Sequence, residues 1–194
     1  MTMLDERPAT ARRAMIDCQL RVSGVNDPAV LTAMDSVARE DYVPAAMRAL
    51  AYIDRAVSLD DGHSLPAPLV QGRLLVEAAL QPGEAVLVVS PCGYLGALVT
   101  ALGAAATTIS PATAARKSGG PYDLILIDGA VEQLPTGLAA ILKDGGRVVT
   151  GLAERGVTRL AAGRKAAGAV TLVPLADIGM PVLAEFAAPK RWSF

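Results

Sequence analysis

Three places in this chain carry residues whose types and spacing could do chemistry. Ser90-Pro91-Cys92-Gly93 follows an unbroken apolar run, 86–89, and precedes an apolar helical stretch, 94–102. A strand, a tight glycine turn and a helix make a cradle for a nucleotide-type cofactor. The helix N-terminus offers unpaired N–H groups, and glycine lets the backbone come close. Here the turn holds only Gly93, with Gly96 further on; Pro91 has no N–H, and no acid ends the strand. Asp128 closes a second apolar run, 122–128, at the strand end where open α/β sheets bind ligands. It is either a site residue or a carboxylate that caps the turn at Gly129-Ala130. Cys92 stands where a helix dipole would stabilise a thiolate, against the plainer reading of a small packed thiol. His63 is the sole histidine, so no second imidazole completes a serine or cysteine triad. In its loop it is a polar surface residue, or else a substrate contact or pH-sensitive group.

These residues need elements to position them. Residues 1–12 read as a mobile arm. Ala14, Met15, Cys18 and Val22 give 13–22 a helical spacing, and Gly24 ends it. Asn26-Asp27-Pro28 offers an Asx N-cap with proline in the first turn, for a helix turning Val30, Leu31, Met34 and Val37 inward. A short helical stretch reaches Tyr52. The irregular segment 54–68 is long for an idle loop in a compact domain. A helix at 69–80 leads into the central strand. The rest predicts a strand at 104–109 and a small-residue, basic linker over 110–120. Beyond the 122–128 strand come a helix at 134–142 stopped by Asp144-Gly145-Gly146, and a strand at 147–151. A helix at 156–167, a strand at 170–175 and an edge strand at 181–186 complete the chain. The alternation implies an α/β fold, a mostly parallel sheet with a helical N-terminal extension on one side.

A length of 194 residues fits one domain that buries roughly 70% of its unfolded surface. Its expected parts are the arm 1–12, the helical extension and loop region 13–80, and the core 81–194. With 52% apolar and 19% charged residues, disorder is excluded. A net charge of −1 gives no attraction for nucleic acid or anionic lipid, and Arg116-Lys117 reads as a solvated surface pair. Cys18 and Cys92 lack metal-ligand spacing, so no metal is expected and both read as reduced thiols. No apolar run approaches the ~20 residues of a membrane span, and residues 1–13 have no apolar centre of a secretory signal. The expectation is a soluble, cytoplasmic protein.

With these residues placed, the chain resembles the protein-L-isoaspartate O-methyltransferase family. Those enzymes use S-adenosylmethionine to methylate the abnormal carboxyl of isoaspartyl residues in aged proteins. The likeness runs from Met15-Ile16-Asp17-Cys18-Gln19-Leu20-Arg21 through Asn26-Asp27-Pro28 to Arg39-Glu40-Asp41-Tyr42-Val43-Pro44 and Ala51-Tyr52-Ile53-Asp54. It resumes at Leu80-Gln81-Pro82-Gly83, at Pro121-Tyr122-Asp123-Leu124-Ile125-Leu126-Ile127-Asp128-Gly129-Ala130 and at Asp144-Gly145-Gly146-Arg147, so that it spans 13–151. It implies a Rossmann-like, S-adenosylmethionine-methyltransferase-like fold.

The departures fall on the parts that carry the family's chemistry. Its active-site serine aligns with Pro66, which has no hydroxyl, so no catalytic residue is expected there. Ser64, two residues earlier, keeps the same side of an extended chain and is a weak candidate beside the reading of an ordinary loop serine. In the cofactor loop, Val88 takes the family's acidic position, and Ser90 and Cys92 take two glycine positions. The strand at 104–109 ends in Ser110, where the family has a ribose-binding acid. Only the 110–120 linker then separates that strand from Tyr122, so one βα unit, with its adenine contact, is missing. Losing two charge-assisted bonds at ~1.5–3 kcal/mol each weakens binding by roughly two to four decades. If the cofactor is held at all, Gly93, Tyr94, Ser110, Asp128 and Gly129 are its expected contacts.

Two functions follow. One is a non-catalytic descendant, a pseudoenzyme kept as a binding or interaction module, with S-adenosylmethionine bound weakly or not at all. The other is a working S-adenosylmethionine-dependent isoaspartyl carboxyl methyltransferase in protein repair. The expected partner is an isoaspartyl-containing or other protein, or a second copy of this chain.

Overall fold

The computed structural model describes residues 6–114, 116 and 119–189, with side-chain surroundings from residue 8 onward. Its centre is β3, Ala85–Val89, in which Val86 to Val89 are fully buried. Burial on both faces explains the unbroken apolar run. β3 pairs in parallel with β4, Ala105–Ile109, on one side and with β5, Tyr122–Val131, on the other. Beyond β5 lie β6, Leu142–Glu154, parallel to it, then β7, Val157–Ala166, antiparallel to β6. Two short strands, β8 (Ala169–Val170) and β9 (Val173–Asp177), pair antiparallel with β7.

Alternate residues face opposite sides of the sheet. Val86, Val88, Leu124, Leu126 and Val149 pack under the N-terminal helices, including Leu20, Met34 and Leu74. Leu87, Val89, Ile125, Ile127 and Val148 face the other way, onto Ala114, Leu138, Leu183 and Phe186. Helix α4, Tyr94–Ala101, returns along β4 so closely that a Cβ on Gly96 would stand 2.0 Å from Thr108 Oγ1. Gly96 therefore serves helix–strand contact.

The sheet order β4-β3-β5-β6-β7-β8 places β4 at an edge. From its end the chain makes one helical turn, α5 (Pro111–Ala114), and the next strand in the chain is β5, from Tyr122. Among the described residues no strand lies outside β4, as expected for a fold shortened by one βα unit. Arg116 is exposed; Lys117 lies outside the described residues.

The N-terminal extension differs from expectation in two ways. Helix α1 begins at Glu6, so residues 6–12 are not a loose arm, while 1–5 lie outside the described residues. Arg12 anchors it, donating to Tyr52 Oη at 2.7 Å and to the Asp35 carbonyl at 2.7 Å, and pairing with Glu40 at 3.2 Å. α1 (Glu6–Met15) continues as a π-helical turn, Ile16–Leu20, and a 3-10 turn, Arg21–Ser23. The wider turn rotates the inward face, so Met15, Ile16 and Leu20 are buried. Ala14, Cys18 and Val22 are exposed, against the 3.6-residue reading. Helix α2, Pro28–Ser36, starts as expected: Asp27 accepts from the Ala29 and Val30 N–H groups at 2.8 and 3.1 Å.

Within 54–68 the chain forms a small antiparallel hairpin, β1 (Val57–Ser58) with β2 (Ser64–Leu65), before helix α3, Pro68–Ala78. Arg147 on β6 ties the end of α3 to the sheet, donating to the Ala78 carbonyl and pairing with Glu84 at 2.5 Å.

The C-terminal third holds the largest corrections. The expected helix at 156–167 is the strand β7. Arg155 and Gly156 both have positive φ, 52° and 81°, and form a two-residue loop that pairs Glu154 with Val157. Such a loop matches strand twist, and the ladder it sets up overrides the helix propensity of Ala, Leu, Arg and Lys. Ala167-Gly168 repeats the device between β7 and β8, where Ala166 pairs with Ala169. β5 also runs through the expected turn at Gly129-Ala130, and α6 is only Thr136–Ala140. Residues 143–146 are absorbed as a bulge in β6, whose pairing jumps from Tyr122↔Leu142 to Leu124↔Arg147. The expected edge strand at 181–186 is a strap. It touches β5 through a single bridge, Ala130↔Val182, and ends in a 3-10 turn, Ala184–Phe186. Among the described residues no helix is long and apolar enough to cross a membrane.

The Asp27 cap gives the first test. Asp27→Ala is expected to lower the unfolding free energy by about 1 kcal/mol in urea melts, with an unchanged m-value. An unaltered midpoint would place the start of α2 elsewhere.

Candidate functional site

The carboxyl end of β3 and the adjoining part of β5, where open α/β sheets bind ligands, hold two buried charges. Asp128 is fully buried one residue beyond Ile127, which pairs with Val89, and so lies level with Ser90 at the end of β3. Both of its oxygens accept from Gln71 Nε2, at 3.1 Å each, and Oδ2 also accepts from Ser90 Oγ at 2.9 Å. Ser90 Oγ in turn accepts the Gly93 N–H at 3.1 Å. Gly93, with φ 82°, is the N-cap of α4.

Gln71 turns its other end to Arg39, which is also fully buried. The guanidinium donates to Gln71 Oε1, to the Pro66 carbonyl and, at 2.6 Å, to the Ala51 carbonyl. It also lies over the Tyr94 ring at 5.2 Å. Tyr94 is buried, leans on Tyr42 at 5.3 Å between ring centroids, and its hydroxyl has no hydrogen-bond partner among the described residues. One polar chain thus runs Arg39–Gln71–Asp128–Ser90–Gly93 and joins the N-terminal extension, α3, β5 and the cofactor-type loop. Burial pushes the Asp128 carboxyl up to about 6, against the hydrogen bonds from Ser90 and Gln71 and the charge of Arg39. Burial likewise holds Arg39 below the usual guanidinium range. Neither Arg39 nor Gln71 was singled out as a site residue from the sequence. Arg39 sits among polar neighbours and Gln71 interrupts an apolar stretch, Leu69-Val70-Gln71-Gly72, neither with a motif of its own; the only signal was Arg39-Glu40-Asp41-Tyr42 within the family likeness.

The other candidates are scattered around this chain. Burial, and then the Asp128 charge, pushes the Cys92 thiol up to about 11. It is a half-buried thiol packed on the core, not a helix-activated thiolate. Ser64 lies in β2, with no hydrogen bond to the Asp128 chain, and Pro66 contributes only its carbonyl. Ser110 is exposed and faces Thr113, with 3.2 Å between their hydroxyls, at the start of α5. Gly129 is enclosed, since a Cβ there would stand 2.8 Å from Leu183 Cγ. His63 is no free loop residue: its ring is placed between Asp61 and Glu185, at 2.9 and 2.8 Å. Among the described residues no group of three or more His, Cys, Asp or Glu could hold a metal ion.

The strap closes over the end of β5. The Ala130 N–H donates to the Pro181 carbonyl at 2.8 Å, and the Leu183 N–H to the Ala130 carbonyl at 2.9 Å. The Phe186 carbonyl accepts from both Glu132 and Gln133, at 3.1 Å each.

A parallel β3–α4–β4 unit beside β5 and β6, under an N-terminal helical extension, is the S-adenosylmethionine-methyltransferase architecture. Two solved structures share it. One, from Plasmodium falciparum, is described as a protein-L-isoaspartate O-methyltransferase in complex with S-adenosyl-L-homocysteine. It superposes with a TM-score of 0.70 at 18% identity, over 92% of this chain and 98% of its own. A second protein-L-isoaspartate O-methyltransferase gives 0.69 at 19% identity, over 91% of this chain and 67% of its own. In sequence, residues 10–113 match the family described as protein-L-isoaspartate(D-aspartate) O-methyltransferase. The protein-L-isoaspartate O-methyltransferase of Methylorubrum populi is 33% identical over 165 residues, covering 72% of this chain and 78% of its own. That of Koribacter versatilis is 32% identical over 196 residues, covering 87% and 88%. The chain belongs to the protein-L-isoaspartate(D-aspartate) O-methyltransferase family. The family match ends at residue 113, inside α5, where the shortened connection begins.

The buried carboxyl at 128 has a signed pH consequence. Its pKa is raised on folding, so its contribution to stability is full below the unfolded value and falls as pH rises through about 6. Asp128→Asn removes this titration. In urea melts, wild type is expected to lose about 2–3 kcal/mol relative to Asp128→Asn between about pH 4 and pH 7.5. A gap between the two proteins that does not change with pH would show that Asp128 is not held protonatable by burial.

Proposed function

We propose that this chain keeps the protein-facing frame of its family and works by binding protein, not by methyl transfer. The observation that carries this reading is the saturation of Asp128. Its oxygens are taken by Gln71 and Ser90, and Ser90 takes the Gly93 N–H that a ligand at the helix N-terminus would use. S-adenosylmethionine needs room and donors for its methionine part, a partner for its ribose and a wall for its adenine. The residues present do not fit it. Ser90 fills the loop, Val88 is buried at the acidic position, and Ser110 has a hydroxyl where charge is wanted. β4 has no strand beyond it among the described residues, and Leu183 occupies the space beside Gly129. The partner class this reading names is a protein: one carrying isoaspartyl residues, or a second copy of the chain.

Kinship favours a second reading, a working S-adenosylmethionine-dependent protein-L-isoaspartate carboxyl methyltransferase. The relatives at about one-third identity carry that name, and one structural neighbour was solved with S-adenosyl-L-homocysteine. On kinship alone it is the better supported of the two; the contents of this chain's own crevice weigh against it.

Calorimetric titration with S-adenosylmethionine and S-adenosyl-L-homocysteine separates them. We expect no binding heat up to about 1 mM ligand, and methyl transfer to an isoaspartyl peptide at background. A micromolar dissociation constant, or turnover that Asp128→Ala abolishes, would establish the enzyme reading.

A further inference from the structure

Among the described residues nothing pairs with the outer side of β4. The Ser90 N–H donates to the Ile109 carbonyl at 3.0 Å, which fixes the direction of every peptide group along β4. Residues 105, 107 and 109 turn their N–H and C=O groups to β3, and Ala106 and Thr108 turn theirs outward. Those outward groups have no backbone partner among the described residues, and Ala105, Thr107 and Thr108 are exposed. Sheet edges in proteins that stay apart are blunted by charge, by proline, by a bulge or by shortness. The far side of this sheet has such devices: β8 is two residues long, and β9 carries Pro174, Asp177 and a shift of register against β7. β4 has none of them, and no charged residue stands anywhere between Glu84 and Arg116. The exposed residues of the helices before and after it, Thr100 and Ala101 on α4 and Ala112 and Thr113 on α5, are all small.

We infer that β4 is the contact between two copies of this chain, the strands pairing antiparallel about a twofold axis that passes through Thr107. This register sets Ala106 opposite the partner's Thr108, and Thr108 opposite the partner's Ala106. Facing residues of that kind exchange both of their N–H···O=C bonds, so every outward group of Ala106 and Thr108 on both strands is filled. Thr107 meets the partner's Thr107 at the axis, in the kind of pair where side chains come closest and threonines attract. On the same face Ile109 lies across from the small Ala105. An isologous contact needs a patch that is its own complement. The outward groups of β4 are symmetric about Thr107, and the strand carries no charge to repel an identical copy. The contact rests on the sheet edge and not on the groups around Asp128. It therefore goes beyond the protein-binding reading above, and a micromolar affinity for S-adenosylmethionine would leave it standing.

Sedimentation equilibrium and hydrogen exchange test this on the full chain. Wild type is expected to pass from monomer to dimer between about 1 µM and about 1 mM, the range of a small interface. Over that range the Ala106 and Thr108 amides are expected to slow roughly tenfold, while the Leu87 amide in β3 is unchanged. Thr107 is exposed, so Thr107→Lys and Thr107→Glu leave the fold in place. Each sets like charges directly across the axis and is expected, alone, to sediment as a monomer. An equimolar mixture of the two brings Lys opposite Glu and is expected to recover the doubled mass, which a folding defect could not do. A wild type that stays monomeric, a dimer that survives both substitutions or a mixture that stays monomeric would each overturn the inference. So would Ala106 and Thr108 amides that exchange alike at every concentration; slow exchange of that kind would mean that another segment of the same chain covers the edge.

Discussion

A guanidinium and a carboxylate, both shut away from water and joined only through the side chain of Gln71, hold this structure in its present form. Burying either charge alone is strongly unfavourable, and their attraction offsets that only when the remaining donors and acceptors are filled. Here they are filled from every direction. Arg39 spends its donors on Gln71 and on the carbonyls of Ala51 and Pro66, while Asp128 takes Gln71 and Ser90. Each partner comes from a different part of the chain. The N-terminal extension, the irregular segment before α3, the helix itself and two sheet strands therefore have to be in place together. Removing one member strands the others without water to replace it.

The same arrangement decides what the crevice can hold. Family membership and fold fix where a crevice lies, at the carboxyl ends of β3 and β5. Its interior in this chain is occupied by the protein's own groups: a serine hydroxyl against the helix N-terminus, a buried acid behind it, and the strap across Ala130. The sheet ends at β4 on one side of the site and runs out through the antiparallel strands β7, β8 and β9 on the other.

How much of this was legible in the sequence depended on how far apart the interacting residues lie. The runs at 86–89 and 122–128 declared themselves, because burial on both faces leaves no polar residue to interrupt the pattern. Asp27-Pro28 did so because a cap is a local interaction. Asp128 was legible as an acid at a strand end. Its partners were not, since a buried Arg39 and Gln71 look like any polar residues on helices until tertiary structure assigns them an interior. The helical reading of 156–167 failed for the converse reason. Composition favoured a helix, but two positive-φ residues at Arg155-Gly156 set strand pairing first. The inward face of 13–22 failed because a π-helical turn changes the period that pattern reading assumes.

Those two-residue loops divide the sheet by the length of chain its pairings must close. Glu154 finds Val157, and Ala166 finds Ala169, over almost no intervening chain, so the loop-closure entropy of β6, β7 and β8 is small. Val86 meets Leu124 only after a helix, an edge strand and a connection have been threaded between them. One sheet therefore joins a half that assembles from sequence neighbours to a half of high contact order. The crevice sits on the second half, where each contact closes a long stretch of chain and local loosening reaches furthest.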